Sequence, residues 1–287
     1  MVEIVIPKPK LDFLEVMIVN VCNLSCRGCT TFSDLTHSGY VTWEQGRSWL
    51  EPWANRIDIQ AVGLMGGEPL INPELRNWLI GIREMLPHAQ IRFVTNGLLL
   101  DRHWWVVDQL DQLGNAVLKI SQHVDDPAIT TVVERIQQSR LWSPINELGI
   151  DRWVSPTGFR FQLTRPTHFI QTFRNTYQDM HPHNSKPADA FKICVQKRCP
   201  LLINGKIWKC GTAALTPDIL KRFGYPNQAE WEPYITPGLT SDCTNNELEQ
   251  FVKNFGQPHA ICRQCPSEND IASRFDHFSN VSFSKLK

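Results

Sequence analysis

No stretch of this 287-residue sequence approaches the roughly 18 consecutive apolar residues of a membrane span. The longest candidates, around Phe13 to Val21 and Ile59 to Met65, are interrupted or too short. The first ten residues, MVEIVIPKPK, lack the basic region, long apolar run and small-residue cleavage site of a secretory signal. A cytoplasmic protein with no membrane contact is expected. Charge of one sign is also missing: 29 Lys and Arg balance 29 Asp and Glu, which excludes a polycation built to hold nucleic acid. Internal repeats and low-complexity tracts are absent. With 42% hydrophobic and 20% charged residues, the composition is that of an ordinary globular chain with a sizeable core.

Cysteine is absent from residues 30 to 193 but abundant on either side, nine in all. Cys22, Cys26 and Cys29 lie close together near the start. Cys194, Cys199, Cys210, Cys243, Cys262 and Cys265 follow residue 190. In a reducing compartment such clusters bind metal or do redox chemistry more often than they form disulfides, and an odd count leaves a spare thiol in any all-disulfide scheme.

The cysteine-free stretch alternates short apolar runs with amphipathic helices, the pattern of βα units around a parallel sheet. Strands are expected at Phe13 to Asn20, Ile57 to Met65, Ile91 to Thr95, Ala116 to Ser121 and Phe159 to Leu163. A helix capped by Asn72 buries Leu75, Trp78, Leu79, Ile82 and Leu86. One capped by Asp101 buries Val106, Val107, Leu110 and Leu113, and one opening at Asp126-Pro127 buries Ile129, Val132, Val133 and Ile136. His168 to Tyr177 reads as a further helix. The fold class is α/β, a partial (β/α)6 TIM-like barrel over residues 1–180. The polar, Pro-rich segment at 181–189 reads as a linker. Residues 190–287 read as a small domain of hairpin and helices, one at Pro217 to Phe223 and one presenting Leu248, Phe251, Val252 and Phe255.

Cys22-Asn-Leu-Ser-Cys26-Arg-Gly-Cys29 puts three thiolates on a loop after the first strand. Three soft ligands so close suit one metal centre with a position left open, whereas structural zinc calls for four. Gly66-Gly67-Glu68-Pro69 ends the second strand; alone it reads as a strand-to-helix turn. Together, in this order and at these strand ends, the two motifs resemble the radical S-adenosylmethionine (radical SAM) superfamily. The resemblance implies a [4Fe-4S] cluster on Cys22, Cys26 and Cys29, whose fourth iron binds S-adenosylmethionine. It also implies cofactor contacts from Gly66, Gly67, Glu68 and Pro69, and from Asn96 and Ser121 at the ends of the next two strands. His123 reads as a loop residue rather than a base. Relatives carry an aromatic residue before the third cysteine, against the adenine; here that position is Gly28, and Phe32 is the nearest substitute.

In the tail, Asn204-Gly205 between apolar runs is a strong hairpin signal. The register pairs Ile203 with Lys206, Leu202 with Ile207, Leu201 with Trp208 and, extended, Cys199 with Cys210. Directly opposed residues hold their Cβ atoms about 4.5 to 5.5 Å apart, so both sulfurs could reach one cluster. The segment through Cys194 and Cys210, followed by Cys262-Arg-Gln-Cys265, resembles the twitch or SPASM-type extension of radical SAM enzymes. That implies an auxiliary [4Fe-4S] cluster. Relatives' spacing favours Cys194 as a ligand and the hairpin register favours Cys199; structural zinc on the same cysteines is the alternative. Cys243 reads as unliganded.

The resemblance implies an enzyme that cleaves S-adenosylmethionine reductively and abstracts hydrogen from a substrate, either a peptide or a small polar metabolite. The electron donor would be a flavodoxin or ferredoxin. The outcome could be oxidation, epimerisation or cross-linking. The alternative class is an iron-sulfur or zinc protein that regulates without turnover. Only 21 residues precede Cys22, too few for a folded leader-peptide recognition domain, which weakens the peptide reading. Candidates for a hydrogen donor are Cys243 and the spare hairpin cysteine. Tyr177, Asp179 and His181 are candidates for acid or base, and nothing in the sequence selects among them.

Overall fold

The computed structural model describes residues 7–35, 38–145, 151–223, 228–270, 274–276 and 281–283. Nine strands form one sheet: β1 (Leu14–Val19), β2 (Ala61–Gly66), β3 (Gln90–Thr95), β4 (Ala116–Ser121), β5 (Ser143–Pro144), β6 (Asp151–Val154), β7 (Arg160–Thr164), β8 (Leu201–Ile203) and β9 (Lys206–Trp208). Their order across the sheet is β9-β8-β1-β2-β3-β4-β7-β6-β5. Six of them, β8, β1, β2, β3, β4 and β7, run parallel; β9, β6 and β5 are antiparallel to their neighbours. Helices α1 (Trp43–Ala54), α2 (Leu75–Met85) and α3 (Trp105–Leu113) make the crossovers between β1 and β4, and α4 (Pro127–Ser139) leaves β4. Side chains from β1 and β7, which have three strands between them, line one cavity, so the sheet is curled.

The architecture corrects the expectation of six βα units. After α4 the chain makes β5 and the antiparallel β6 before the fifth parallel strand, β7, and the sixth parallel strand is β8, supplied by the tail hairpin on the other side of β1. That hairpin has the expected register and a turn with Asn204 and Gly205 both at positive φ (50° and 75°). Glu15 N–H donates to Pro200 O at 2.9 Å, tying the hairpin to β1. The tail therefore continues the sheet of the N-terminal half.

Other differences have local causes. The run read as one strand from Ile57 breaks at Gln60: Asp58–Ile59 pairs with Lys10–Leu11, and β2 begins at Ala61. The helix α2 opens at Leu75, after Glu74, and Asn72 caps the turn leading into it, its Oδ1 accepting from Glu74 N–H at 2.8 Å while its amide donates to Ile18 O (2.7 Å) and Val41 O (3.0 Å), stitching the turn to β1. Asp101 pairs with Arg135 instead of capping α3. His168 to Tyr177 is not helical, because His168–Ile170 finds a distant strand partner in Arg274–Asp276. The helix read from Pro217 begins at Gly211 (α6, Gly211–Phe223, after α5, Pro187–Ile193), since residues 211–216 are buried. The last helix, α7 (Asn245–Lys253), opens with a capping box of Thr244 and Glu247.

The main core fills the space between the sheet and α1 to α4. Leu14, Val16, Ile18, Val62, Leu64, Ile91 and Phe93 meet Leu50, Trp53, Trp78, Leu79 and Ile82. Full burial of each large side chain stabilises by about 1.5–3 kcal/mol. Helices α1 and α2 pack by exchanging tryptophans for glycines. A Cβ on Gly46 would lie 1.9 Å from the Trp78 ring, and one on Gly81 would lie 2.1 Å from the Trp43 ring. The two rings meet edge to face at 5.3 Å. Gly46→Ala gains about 1 kcal/mol of helix propensity, but Trp78 is fully buried and cannot retreat. We expect a net loss of about 1–3 kcal/mol, read as a lower urea midpoint; an unchanged midpoint would contradict this packing.

Candidate functional site

Gly66 and Gly67 are where two strand ends meet. A Cβ on Gly66 would lie 2.0 Å from Val19 O, and one on Gly67 1.9 Å from Val21 O; Gly66 also has φ 145°. With no side chain in the way, Gly67 N–H donates to Val19 O (3.0 Å) and Glu68 N–H to Val21 O (2.9 Å). The cysteine loop that follows Val21 is thereby laid directly on the end of β2. Thr31 reinforces the join, its hydroxyl donating to Gly66 O at 3.2 Å and lying 3.2 Å from Cys29 Sγ.

The three cysteines line a single cavity of about 280 Å³ with Gly28, Thr30, Met65, Gly66, Gly67, Asn96, Ser121, His123 and Phe169. Asn96 holds the loop from the β3 side. Its amide donates to Asn23 Oδ1 at 2.7 Å and approaches Cys22 Sγ at 3.7 Å, while its Oδ1 accepts from Leu98 N–H at 3.1 Å. Burial pushes all three thiols up, Cys22 to about 12, and nearby negative groups add to it: Glu68 and Cys29 at Cys22, the other two cysteines at Cys26, and Asp34 at Cys29. Thiolates packed this way repel one another unless a cationic centre sits among them, and binding such a centre expels their protons. The donor set therefore fits an iron-sulfur cluster with one open position.

Two expected cofactor contacts lie elsewhere. Glu68 and Pro69 do not line this cavity. The buried Glu68 carboxylate braces the strand ends, accepting from Leu70 N–H (3.1 Å), the Thr95 hydroxyl (2.8 Å) and Asn96 N–H (2.8 Å). Burial pushes its pKa up to about 7, and those three donors oppose the rise. Phe32 is buried away from the cavity, against Phe173. The aromatic surface of the cavity comes instead from Phe169, stacked on His123 at 5.9 Å.

Cys194, Cys210, Cys262 and Cys265 line a second, apolar cavity of about 50 Å³. Burial pushes up Cys194, Cys210 and Cys265, Cys210 to about 12, and repulsion within the group adds to it. Among the described residues no three His, Cys, Asp or Glu side chains converge tightly enough to hold a single metal ion. Thr30, Ile170 and Val195 line both this cavity and the first, so the two are separated by one layer of residues. Cys199 is not in this group. The β8–β9 ladder ends at Leu201 and Trp208; beyond it the chain at Pro200 stays on β1, while Cys210 turns into α6. Cys199 faces the opposite end of the sheet, beside Glu15 and Lys119.

Cys243 lies against Arg56 (3.4 Å), outside both cysteine-lined cavities. Tyr177 donates to Asp34 behind the first cysteine loop, and burial drives the Asp34 carboxyl up to about 6. Asp179 and His181 pair at 2.9 Å, with Glu230 on the other ring nitrogen, and none of the three lines the cofactor cavity.

Residues 16–141 match the family model of the Radical SAM superfamily. This segment is a radical SAM domain. It is a domain of enzymes. A GTP 3',8-cyclase of Petrotoga mobilis is 32% identical over 98 residues, 32% of this chain and 29% of that protein, so the chain spans under a third of the length of this curated relative. The structure of BtrN in complex with AdoMet and 2-DOIA superposes with a TM-score of 0.51 at 13% identity, covering 91% of this chain and 95% of that one, a likeness of fold. Streptococcus suis SuiB bound to S-adenosylmethionine matches with a TM-score of 0.35 at 19% identity over 42% of this chain and 28% of its own.

Around the first cysteine cavity, sequence reasoning missed Thr31, Asn23 and Phe169. The first two sit inside or beside the cysteine motif, where their side chains had a signal in Asn and Thr flanking ligands. Phe169 had none, lying in a segment misread as helix. Glu68→Gln replaces one acceptor oxygen by an amide that faces a donor whichever way it turns. We expect a loss of about 1–3 kcal/mol, read as a melting temperature lower by roughly 3–10 °C. A melting temperature equal to that of the parent would contradict the bracing role.

Proposed function

We propose that the chain is a radical SAM enzyme with two iron-sulfur clusters. The reading rests on one observation above the others: Cys22, Cys26 and Cys29 share a cavity with Gly66, Gly67, Asn96 and Ser121 at consecutive strand ends. Residues 1–180 form the radical core, a partial barrel whose chemistry sits at the C-terminal ends of its strands. Residues 190–287, joined to it by the 181–189 linker, form the twitch-like extension.

When bound, a [4Fe-4S] cluster on Cys22, Cys26 and Cys29 supplies the electron that splits S-adenosylmethionine into methionine and a 5′-deoxyadenosyl radical able to abstract hydrogen. The chain's own residues prepare that chemistry. Leu24 N–H donates to Cys22 Sγ (3.4 Å), lowering the cost of its negative charge, and the Thr31 hydroxyl lies against Cys29 Sγ and holds it in place. The backbone of Gly66 and Gly67 and the hydroxyl of Ser121 offer polar contacts to the methionine and ribose ends of the cofactor, and the Phe169 and His123 rings offer flat faces to the adenine. Glu68 and Pro69 act on the cofactor only through the strand ends they brace.

Cys194, Cys210, Cys262 and Cys265 would hold an auxiliary [4Fe-4S] cluster. Four thiols around one apolar cavity, one layer of residues from the first three, suit a cluster. Gln196 N–H donates to Cys194 Sγ at 3.3 Å and stabilises the thiolate. Through Thr30, Ile170 and Val195 the two centres are near neighbours, which suits the passage of an electron to or from a substrate radical. A flavodoxin or ferredoxin would supply the first electron.

Replacing Cys22, Cys26 and Cys29 together by Ala should abolish 5′-deoxyadenosine formation while about four irons remain in the tail. Retained cleavage in that protein would sink the assignment. In the tail, Cys194→Ser should lower the iron content by about four per chain and Cys199→Ser should leave it unchanged. The reverse pattern would restore Cys199 as the ligand, and zinc in place of iron would remove the auxiliary cluster.

A further inference from the structure

The concave face of the sheet carries a third cavity, about 520 Å³, toward the N-terminal ends of the strands. Strand register explains its lining. Glu15, Gly63, Arg92, Val117 and Arg160 form one row across β1, β2, β3, β4 and β7, and Val94, Lys119 and Gln162 belong to the next row. The period-two alternation of strands puts both rows on the same face. Arg152 from β6 and Arg198-Cys199 ahead of β8 complete the wall.

Among the described residues five cations, Arg92, Lys119, Arg152, Arg160 and Arg198, thus line the cavity against one carboxylate, Glu15. Arg198 is partly engaged outside, 3.6 Å from Asp12. The other four face the cavity from strands of a single sheet. Gln90 Oε1 accepts from Arg92 Nε at 2.8 Å and the Phe13 ring lies 4.9 Å from its guanidinium carbon, so this side chain is fixed in position.

We propose that this cavity binds the phosphate group of a small-molecule substrate, with Arg92, Lys119, Arg152 and Arg160 as its cationic partners. The word substrate rests on the radical SAM reading; the anion site does not. A carboxylate brings one negative charge, whereas a phosphomonoester brings nearly two and more acceptor oxygens, closer to what Arg92, Lys119 and Arg160 against Glu15 require. Planar guanidinium forks match phosphate oxygens two at a time. Crowding of like charges supports the assignment: burial and the neighbouring arginines lower the pKa values of Arg92 and Lys119, a repulsion that a bound anion relieves. The volume suits a small molecule.

Position gives the site its use. Val94 on β3 lines both this cavity and the cofactor cavity, so a molecule held by its phosphate below extends toward the cofactor above. The cations grip a remote group and stay away from the reacting carbon, which is how binding energy from a non-reacting part of a substrate orients the rest.

The test is calorimetric titration of the cluster-reconstituted full chain with inorganic pyrophosphate, inorganic phosphate and succinate at low salt. Pyrophosphate should bind at sub-millimolar concentration, with succinate at least about tenfold weaker, and affinity should fall as salt is raised. Arg92→Gln combined with Lys119→Gln should weaken pyrophosphate at least about tenfold, and Arg160→Gln alone by several-fold. Circular dichroism checks that the double variant is folded; if it is not, the single variant decides. No pyrophosphate binding by the parent chain, or undiminished binding in a folded variant, overturns the site, and succinate binding as tightly as pyrophosphate overturns the choice of phosphate. Cofactor cleavage by the parent is assayed separately. Its failure would count against the enzyme reading and leave the anion site standing.

Discussion

The close approach of the Gly66-Gly67 backbone to Val19 and Val21 is the contact on which the site depends. Two strand ends come within hydrogen-bonding distance only because neither glycine carries a Cβ, which would stand about 2 Å from a carbonyl oxygen. That approach seats the cysteine loop on the end of β2 and lets Thr31 bridge Cys29 to Gly66. It also aims Glu68 into the interior, where its carboxylate gathers the Asn96 amide and Thr95 hydroxyl of the next strand end. Gly66 and Gly67, which the family resemblance marks as cofactor contacts, are first of all making room for another strand.

From that contact the sheet is arranged in levels. At the C-terminal ends of the strands lie the three thiols, Asn96 and Ser121; toward the N-terminal ends lie Glu15, Arg92, Lys119 and Arg160. The same alternation that buries Val16, Ile18, Leu64 and Phe93 against the helices turns Glu15, Arg92 and Lys119 to the concave side. The tail hairpin completes this wall through the pairing of β8 with β1, and in doing so carries Cys199 to one end of the sheet and Cys194 and Cys210 to another site.

What could be read from the sequence divides along the same line. Strands β1 to β4, the helix faces and the Asn204-Gly205 turn were legible because period and turn chemistry are local. The three-cysteine loop was legible because its cysteines lie within eight residues of one another. The choice between Cys194 and Cys199 was not, because it depends on where a ladder stops, and that is set by β1, some 185 residues away. The strand at His168–Ile170 was hidden for the same reason, its partner lying about 105 residues on. The cationic cavity was invisible as well: its charges are scattered singly over five strands and a loop, and a net charge of zero gives no hint that register gathers them.

The measurement that bears most directly on the account is anaerobic reconstitution of the chain with iron and sulfide, followed by reduction in the presence of S-adenosylmethionine. Iron, sulfide and zinc are counted and 5′-deoxyadenosine is quantified. The account predicts about eight irons and eight sulfides per chain, negligible zinc, and 5′-deoxyadenosine formed in step with methionine. A chain that takes up its iron yet yields no 5′-deoxyadenosine would contradict it.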